Sequence, residues 1–202
     1  MGYVLILIGL IFIFIGLYIL YNINARSVAI LGDEKPIKEM PSAQDELLIN
    51  KKKGDDFEKF VVSLFDSTYF QIKEWRGDKY VDGKYAISNH FPDLEIAFNL
   101  NSKNIQDKFA IECKFRSNYY ENAINWAESY QLENYKKYAK SAGLPVFIVI
   151  GVGGQPQNPN EVFIVPLSVV ETTSLDKKVL KGYKRKMPLN NFYWNTQLQL
   201  LN

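Results

Sequence analysis

From Tyr3 to Tyr21 the chain carries no charge, and beyond that run apolar and polar positions alternate with shorter periods. A bilayer core about 30 Å thick takes roughly 20 apolar residues as helix, so the first run predicts one spanning helix. A cleaved secretory signal wants a basic stretch ahead of a shorter apolar segment and a small-residue cleavage site behind it. Nothing basic precedes Tyr3, and Tyr18-Ile19-Leu20-Tyr21-Asn22 offers no such site. The flanking basic residues Arg26, Lys35, Lys38 and Lys51-Lys52-Lys53 all follow the run, which places the remainder of the chain in the cytoplasm. The expectation is a single-pass membrane protein, with residues 3–21 in the lipid bilayer.

Residues 27–50 mix charges with Pro36 and Pro41, show no sustained period, and predict a linker after an anchor over 1–26. From Lys51 the pattern becomes helical: Phe57, Phe60, Val61, Leu64 and Phe65 recur at the spacing of one helix face. Phe70 to Trp75 alternates like a strand, and Asp82-Gly83 marks a turn. Two further strands, 93–98 and 108–115, flank the polar loop Asn99 to Gln106, and together these strands outline an antiparallel meander. Residues 119–142 predict a long helix with Ala123, Trp126, Ala127, Tyr130, Asn134, Tyr135 and Tyr138 on one face, stopped by Gly143 and Pro145. Pro145 to Val152 is the continuous run of a strand buried on both sides, and Glu161 to Pro166 is another strand after a turn-rich segment. Helix, three strands, helix, two strands predicts an α/β domain over 51–202: a mixed β-sheet flanked by helices, with the N-terminal transmembrane helix in addition.

Charge narrows the picture little. The formal net charge is +2, and residues 27–50 hold more acids than bases, so the domain is mildly basic and compatible with nucleic acid. The single cysteine, Cys113, makes no internal disulfide, in keeping with a reducing compartment. Gly151-Val152-Gly153-Gly154 follows a strand but lacks the lysine or full glycine pattern of a nucleotide loop.

The candidate chemistry lies in Pro92-Asp93 and Glu112-Cys113-Lys114. Residues two apart on a strand share a face, so Glu112 and Lys114 point together while Cys113 points away. Hydrolysis of a phosphodiester suits that set. A hard divalent cation takes one or two carboxylates plus waters and phosphate, which Asp93 and Glu112 supply. Lys114 then orients or deprotonates the attacking water and offsets transition-state charge. The competing reading makes Asp93, Glu95, Glu112 and Lys114 the solvated side of a half-buried strand pair. Glu58 borders the first helix's apolar stripe, either at the site or as a surface acid. Gln131 interrupts the second helix's buried face, either with a role at the site or as an amide bonded to backbone.

Taken in order, Gly54-x-x-Phe57-Glu58, Pro92-Asp93, Glu112-x-Lys114 and Gln131-x-x-x-Tyr135 resemble the PD-(D/E)XK superfamily, the restriction-endonuclease-like fold, in its RecB-like and Mrr-like branches. The resemblance covers about residues 51–166. It implies a Mg²⁺-dependent deoxyribonuclease, Mn²⁺ being an alternative ion, with the metal on Asp93, Glu112 and the Cys113 carbonyl, and with Lys114 as the catalytic lysine. By the same likeness Glu58 assists the metal through water, and Gln131 and Tyr135 support the site or the DNA.

Weaker signals sit nearby. Arg116 extends the Glu112–Lys114 face, as a phosphate contact or a strand-end surface charge, and Arg76, Lys79, Tyr80, Lys84 and Tyr85 interleave basic and aromatic residues as either a DNA-facing loop or a solvated hairpin would. His90 has no cysteine partners for zinc and is expected in an ordinary loop. Two other functions compete with the nuclease: a non-catalytic nucleic-acid-binding module, and a membrane-assembly scaffold docking through Phe192-Tyr193-Trp194, aromatics that equally could complete the domain core.

Overall fold

The computed structural model describes residues 14–23, 42–76, 80–81, 84–85 and 90–202. Residues 14–23 form helix α1; residues 3–13 of the expected span lie outside the described residues, as do 24–41 of the expected linker. Among the described residues, no helix is long and apolar enough to cross a membrane. Gln44–Asn202 is one compact unit.

Helix α2 runs over Ala43–Ser63, so it starts inside the segment expected as linker. Asp45 and Glu46 occupy its first turn, where the helix dipole favours acids. Lys51–Asp55 and Lys52–Asp56, 3.3 and 2.6 Å apart, form i,i+4 pairs across the point where the sequence suggests a beginning.

Five strands make the central sheet: β1 (Phe70–Trp75), β4 (Leu94–Leu100), β5 (Ile105–Arg116), β7 (Val146–Gln155) and β8 (Asn158–Pro166), in the order β1-β4-β5-β7-β8. The short pair β2 (Tyr80–Val81) and β3 (Lys84–Tyr85) flanks the Asp82-Gly83 position, which lies outside the described residues. Only β5 and β7 run parallel; every other neighbouring pair is antiparallel, so β1-β4-β5 is the expected meander and the sheet is mixed. A parallel neighbour requires a crossover, and helix α3 (Ser129–Ala142) lies in that connection.

The period of two along β5 sorts its side chains between two cores. Phe109, Ile111, Cys113 and Phe115 pack with Phe57, Phe60, Val61 and Leu64 of α2. Ala110 faces the other way, with Tyr135 and Tyr138 of α3 and Ile148 and Ile150 of β7. Phe57 lies so close to β7 that a Cβ on Gly151 would collide with its ring.

The helix expected over 119–142 begins only at Ser129. Glu121 and Asn122 adopt left-handed backbone, φ 48° and 61°, and a bridge joins Tyr120 to Ala123. Ala123–Asn125 then forms strand β6, paired with β9 (Ser174–Asp176). The helix-like spacing of Ala123, Trp126 and Ala127 serves instead to bury Trp126, whose indole N–H donates to the Thr172 carbonyl at 3.0 Å.

Of the two readings of the carboxy-terminal aromatics, docking patch or core, the structure bears out the core. Phe192 and Trp194 are buried, and Trp194 stacks on Phe109 with ring centres 4.5 Å apart. Its indole N–H donates to Asp107 at 2.8 Å, in the pair of short strands β10 (Trp194–Asn195) and β11 (Leu200–Leu201). Of that tripeptide, Tyr193 alone remains exposed, because the other two rings complete the α2-side core.

Candidate active site

Asp93 and Glu112 are the buried polar or charged residues among those described, 2% and 0% exposed. The register brings them together: Leu94 pairs with Ile111, so continuing the ladder by one residue sets Asp93 across from Glu112. Asp93 stands one residue before β4, outside the ladder to β5. Its carboxylate takes over, accepting the Cys113 backbone N–H at 2.7 Å. The N–H and C=O of one strand residue leave on the same side, so the Cys113 carbonyl also faces β4. Ala110 confirms the alternation, for its N–H donates to the Pro145 carbonyl on the β7 side.

Lys114 shares the Glu112 face, and its ammonium lies 2.5 Å from Glu112 Oε1. Burying a carboxylate costs several kcal/mol before pairing, and Lys114 offsets that for one of the two acids. Glu58 of α2 adds a third acid, close enough that its charge, with those of Asp93 and Glu112, raises the Cys113 thiol further above its usual range. Burial is the main cause of that shift, so Cys113 stays a neutral thiol in the α2-side core and is no nucleophile. The Trp75 indole N–H donates to Glu58 Oε2 at 3.2 Å, holding that carboxylate near the end of β1.

Tyr135 of α3 covers the acids from the other side. Burial first, then the Glu112 and Asp93 charges, push its hydroxyl well above the ordinary tyrosine range, so it remains a neutral donor facing Glu112. Tyr138, one turn on, donates to Glu95 Oε2 at 3.1 Å, and its hydroxyl is pushed up to about 12, chiefly by burial.

The donor chemistry fits a divalent cation. Among the described residues no three His, Cys, Asp or Glu side chains gather as a metal cage. Mg²⁺ is instead held by one or two carboxylates, with waters and substrate phosphate completing the shell, and Asp93 and Glu112 supply such a pair.

Other expected residues fall elsewhere. Gln131 is half-buried, and its Oε1 accepts the Glu128 N–H at 2.9 Å while the Glu128 side chain accepts from the third helical residue. This capping box gives Gln131 the backbone-bonded role rather than one among the acids. Arg116 is occupied by the carbonyl oxygens of Asn125, Phe115 and Trp126, so it ties β5 to the β6 segment. Lys79 and the side chains of Tyr80, Lys84 and Tyr85 lie outside the described residues. Arg76 turns inward, onto the Pro92 carbonyl at 3.0 Å and Glu95 at 3.8 Å. Nothing in the local pattern signals that contact, since an arginine next to a loop reads equally as a surface cation. His90 is exposed, as expected.

No family model matches the chain, and no curated protein is similar to it. Among solved structures, the chain is similar to Hjc of Archaeoglobus fulgidus, described as a Holliday junction resolvase from an archaeal hyperthermophile. The likeness spans 64% of this chain and 88% of that one, at 19% identity and a TM-score of 0.42.

Proposed function

We propose that this chain is a metal-dependent nuclease of restriction-endonuclease-like fold that hydrolyses DNA phosphodiester bonds, tethered to a membrane through residues 3–21. The observation that carries the reading is the pair of buried acids, Asp93 and Glu112, set side by side with Lys114 on the face they share. A merely solvated strand face would not bury both carboxylates, because each loses its hydration on leaving water.

Asp93, Glu112 and the Cys113 carbonyl would hold Mg²⁺ or Mn²⁺. When bound, such an ion polarises a phosphoryl oxygen and acidifies a coordinated water. Lys114 carries its positive charge to the edge of this cluster, where it orients a water and offsets charge developing on the phosphate. Tyr135, kept protonated, faces Glu112 with a donor and excludes solvent behind it. Glu58 flanks the set from α2, positioned by Trp75.

The full chain in detergent, incubated with linear, circular and single-stranded DNA, should cut at least one of them with Mg²⁺ or Mn²⁺ and none with chelator. Glu112→Ala should reduce cleavage by roughly 10²-fold or more, the scale of removing a main electrostatic contributor, with an unchanged circular dichroism spectrum. Cleavage at the parent rate by folded Glu112→Ala protein sinks the assignment.

A further inference from the structure

We propose that Arg76 is a positioning residue that clamps the Pro92–Asp93 turn and so sets the Asp93 carboxylate beside Glu112; this rests on the metal-nuclease reading above. Asp93 lies at a strand end, where a turn is held only by what flanks it. Arg76 holds this one from its main chain and its side chain together. Its N–H donates to the Asp93 carbonyl at 2.8 Å, and its guanidinium donates to the Pro92 carbonyl at 3.0 Å. The other arm of the fork reaches Glu95, 3.8 Å away, on the strand that follows the turn. The guanidinium also lies over the Phe91 ring, 5.5 Å from its centre, on the residue that precedes the turn. Arg76 therefore touches residues 91, 92, 93 and 95, and the side chain is only 19% exposed.

The clamp is anchored in turn by α3. Glu95 receives the Tyr138 hydroxyl at 3.1 Å, and Tyr138 packs edge-on against Phe91 at 5.7 Å between ring centres. A shift of this turn would carry Asp93 away from the Cys113 N–H that it accepts at 2.7 Å. Lysine cannot replace the fork: a point charge meets Glu95 or the Pro92 carbonyl but does not span both in one plane.

This role differs in its readout from direct DNA contact. A phosphate-contacting arginine acts on DNA affinity and its salt dependence. A positioning residue behind a metal ligand acts on ion affinity, typically by 10- to 100-fold.

The test uses the full chain in detergent, with Mn²⁺ binding followed by electron paramagnetic resonance and DNA cleavage measured alongside. Arg76→Ala should weaken Mn²⁺ binding on the order of tenfold or more and lower kcat, leaving the KM for DNA near the parent value. Arg76→Lys should recover only part of the loss. Glu95→Gln and Tyr138→Phe, which loosen the anchor while leaving Arg76 in place, should give smaller losses in the same direction and keep the test informative if Arg76→Ala fails to fold. Parent-like Mn²⁺ affinity in all folded variants, or a raised KM for DNA with unchanged ion affinity, overturns the clamp. A parent chain that binds no Mn²⁺ overturns the underlying metal reading and the clamp with it.

Discussion

At the residue scale, partners commit a charged side chain to one protonation state even where burial opposes it. Glu161 of β8 receives the Tyr119 hydroxyl at 2.7 Å and the Lys184 ammonium at 2.5 Å. Lys184 first, then Tyr119, hold the Glu161 carboxyl below its ordinary range against a partial cost of burial. A carboxyl with a depressed folded-state pKa stabilises the fold above its unfolded value of 4.5 and loses that contribution as pH falls through the lower, folded value. Glu161→Gln should therefore be less stable than the parent at pH 7 and approach it as the pH falls below about 4.5, followed by urea unfolding across that range. An unchanged difference from pH 7 to pH 3 would show that the ion pair contributes nothing through its charge.

The candidate acids show the same scale from the sequence side. That Glu112 and Lys114 share a face is dictated by strand alternation and is legible from their spacing. The complete burial of Glu112 is not, because it depends on α3 closing over that face with Tyr135.

At the scale of elements, close approach is the deciding quantity. Helix α2 lies on the sheet with Phe57 directly over β7, and Gly151 is the strand position without a side chain to oppose it. Gly151→Ala should destabilise the domain by about 1–3 kcal/mol, the usual cost of overpacking, read from the midpoint of urea unfolding with an unchanged slope. A midpoint within error of the parent would mean that α2 shifts freely over the sheet. In the sequence Gly151 belongs to a glycine-rich stretch after a strand, which resembles a loop signal; what makes it a packing position is a phenylalanine nearly a hundred residues earlier in the chain. The α3 boundary fails to show for a related reason. The segment before Ser129 pairs edge to edge with β9, and only that partner distinguishes a short strand from a helical turn.

At the scale of the whole molecule, the proposed anchor is testable apart from the domain over 51–202. The uncharged run Tyr3 to Tyr21 predicts that the full chain remains with membranes after alkaline carbonate washing, and that protease added to intact cells spares the domain. Release into the wash, a mature N-terminus beyond residue 21, or ready digestion from outside would each remove the cytoplasmic-anchor proposal.

The sequence by itself determined the succession of elements in the sheet, because periods of two and of 3.6 are local consequences of backbone geometry. It also determined which residues of β5 point together, and therefore that an acid and a lysine share a face. Tertiary structure is what makes Asp93 and Glu112 buried neighbours, sets Arg76 against the Pro92–Asp93 segment, and puts Phe192 and Trp194 inside. Each of those outcomes joins residues far apart along the chain. Register and layer packing set such distances, and no local period encodes them.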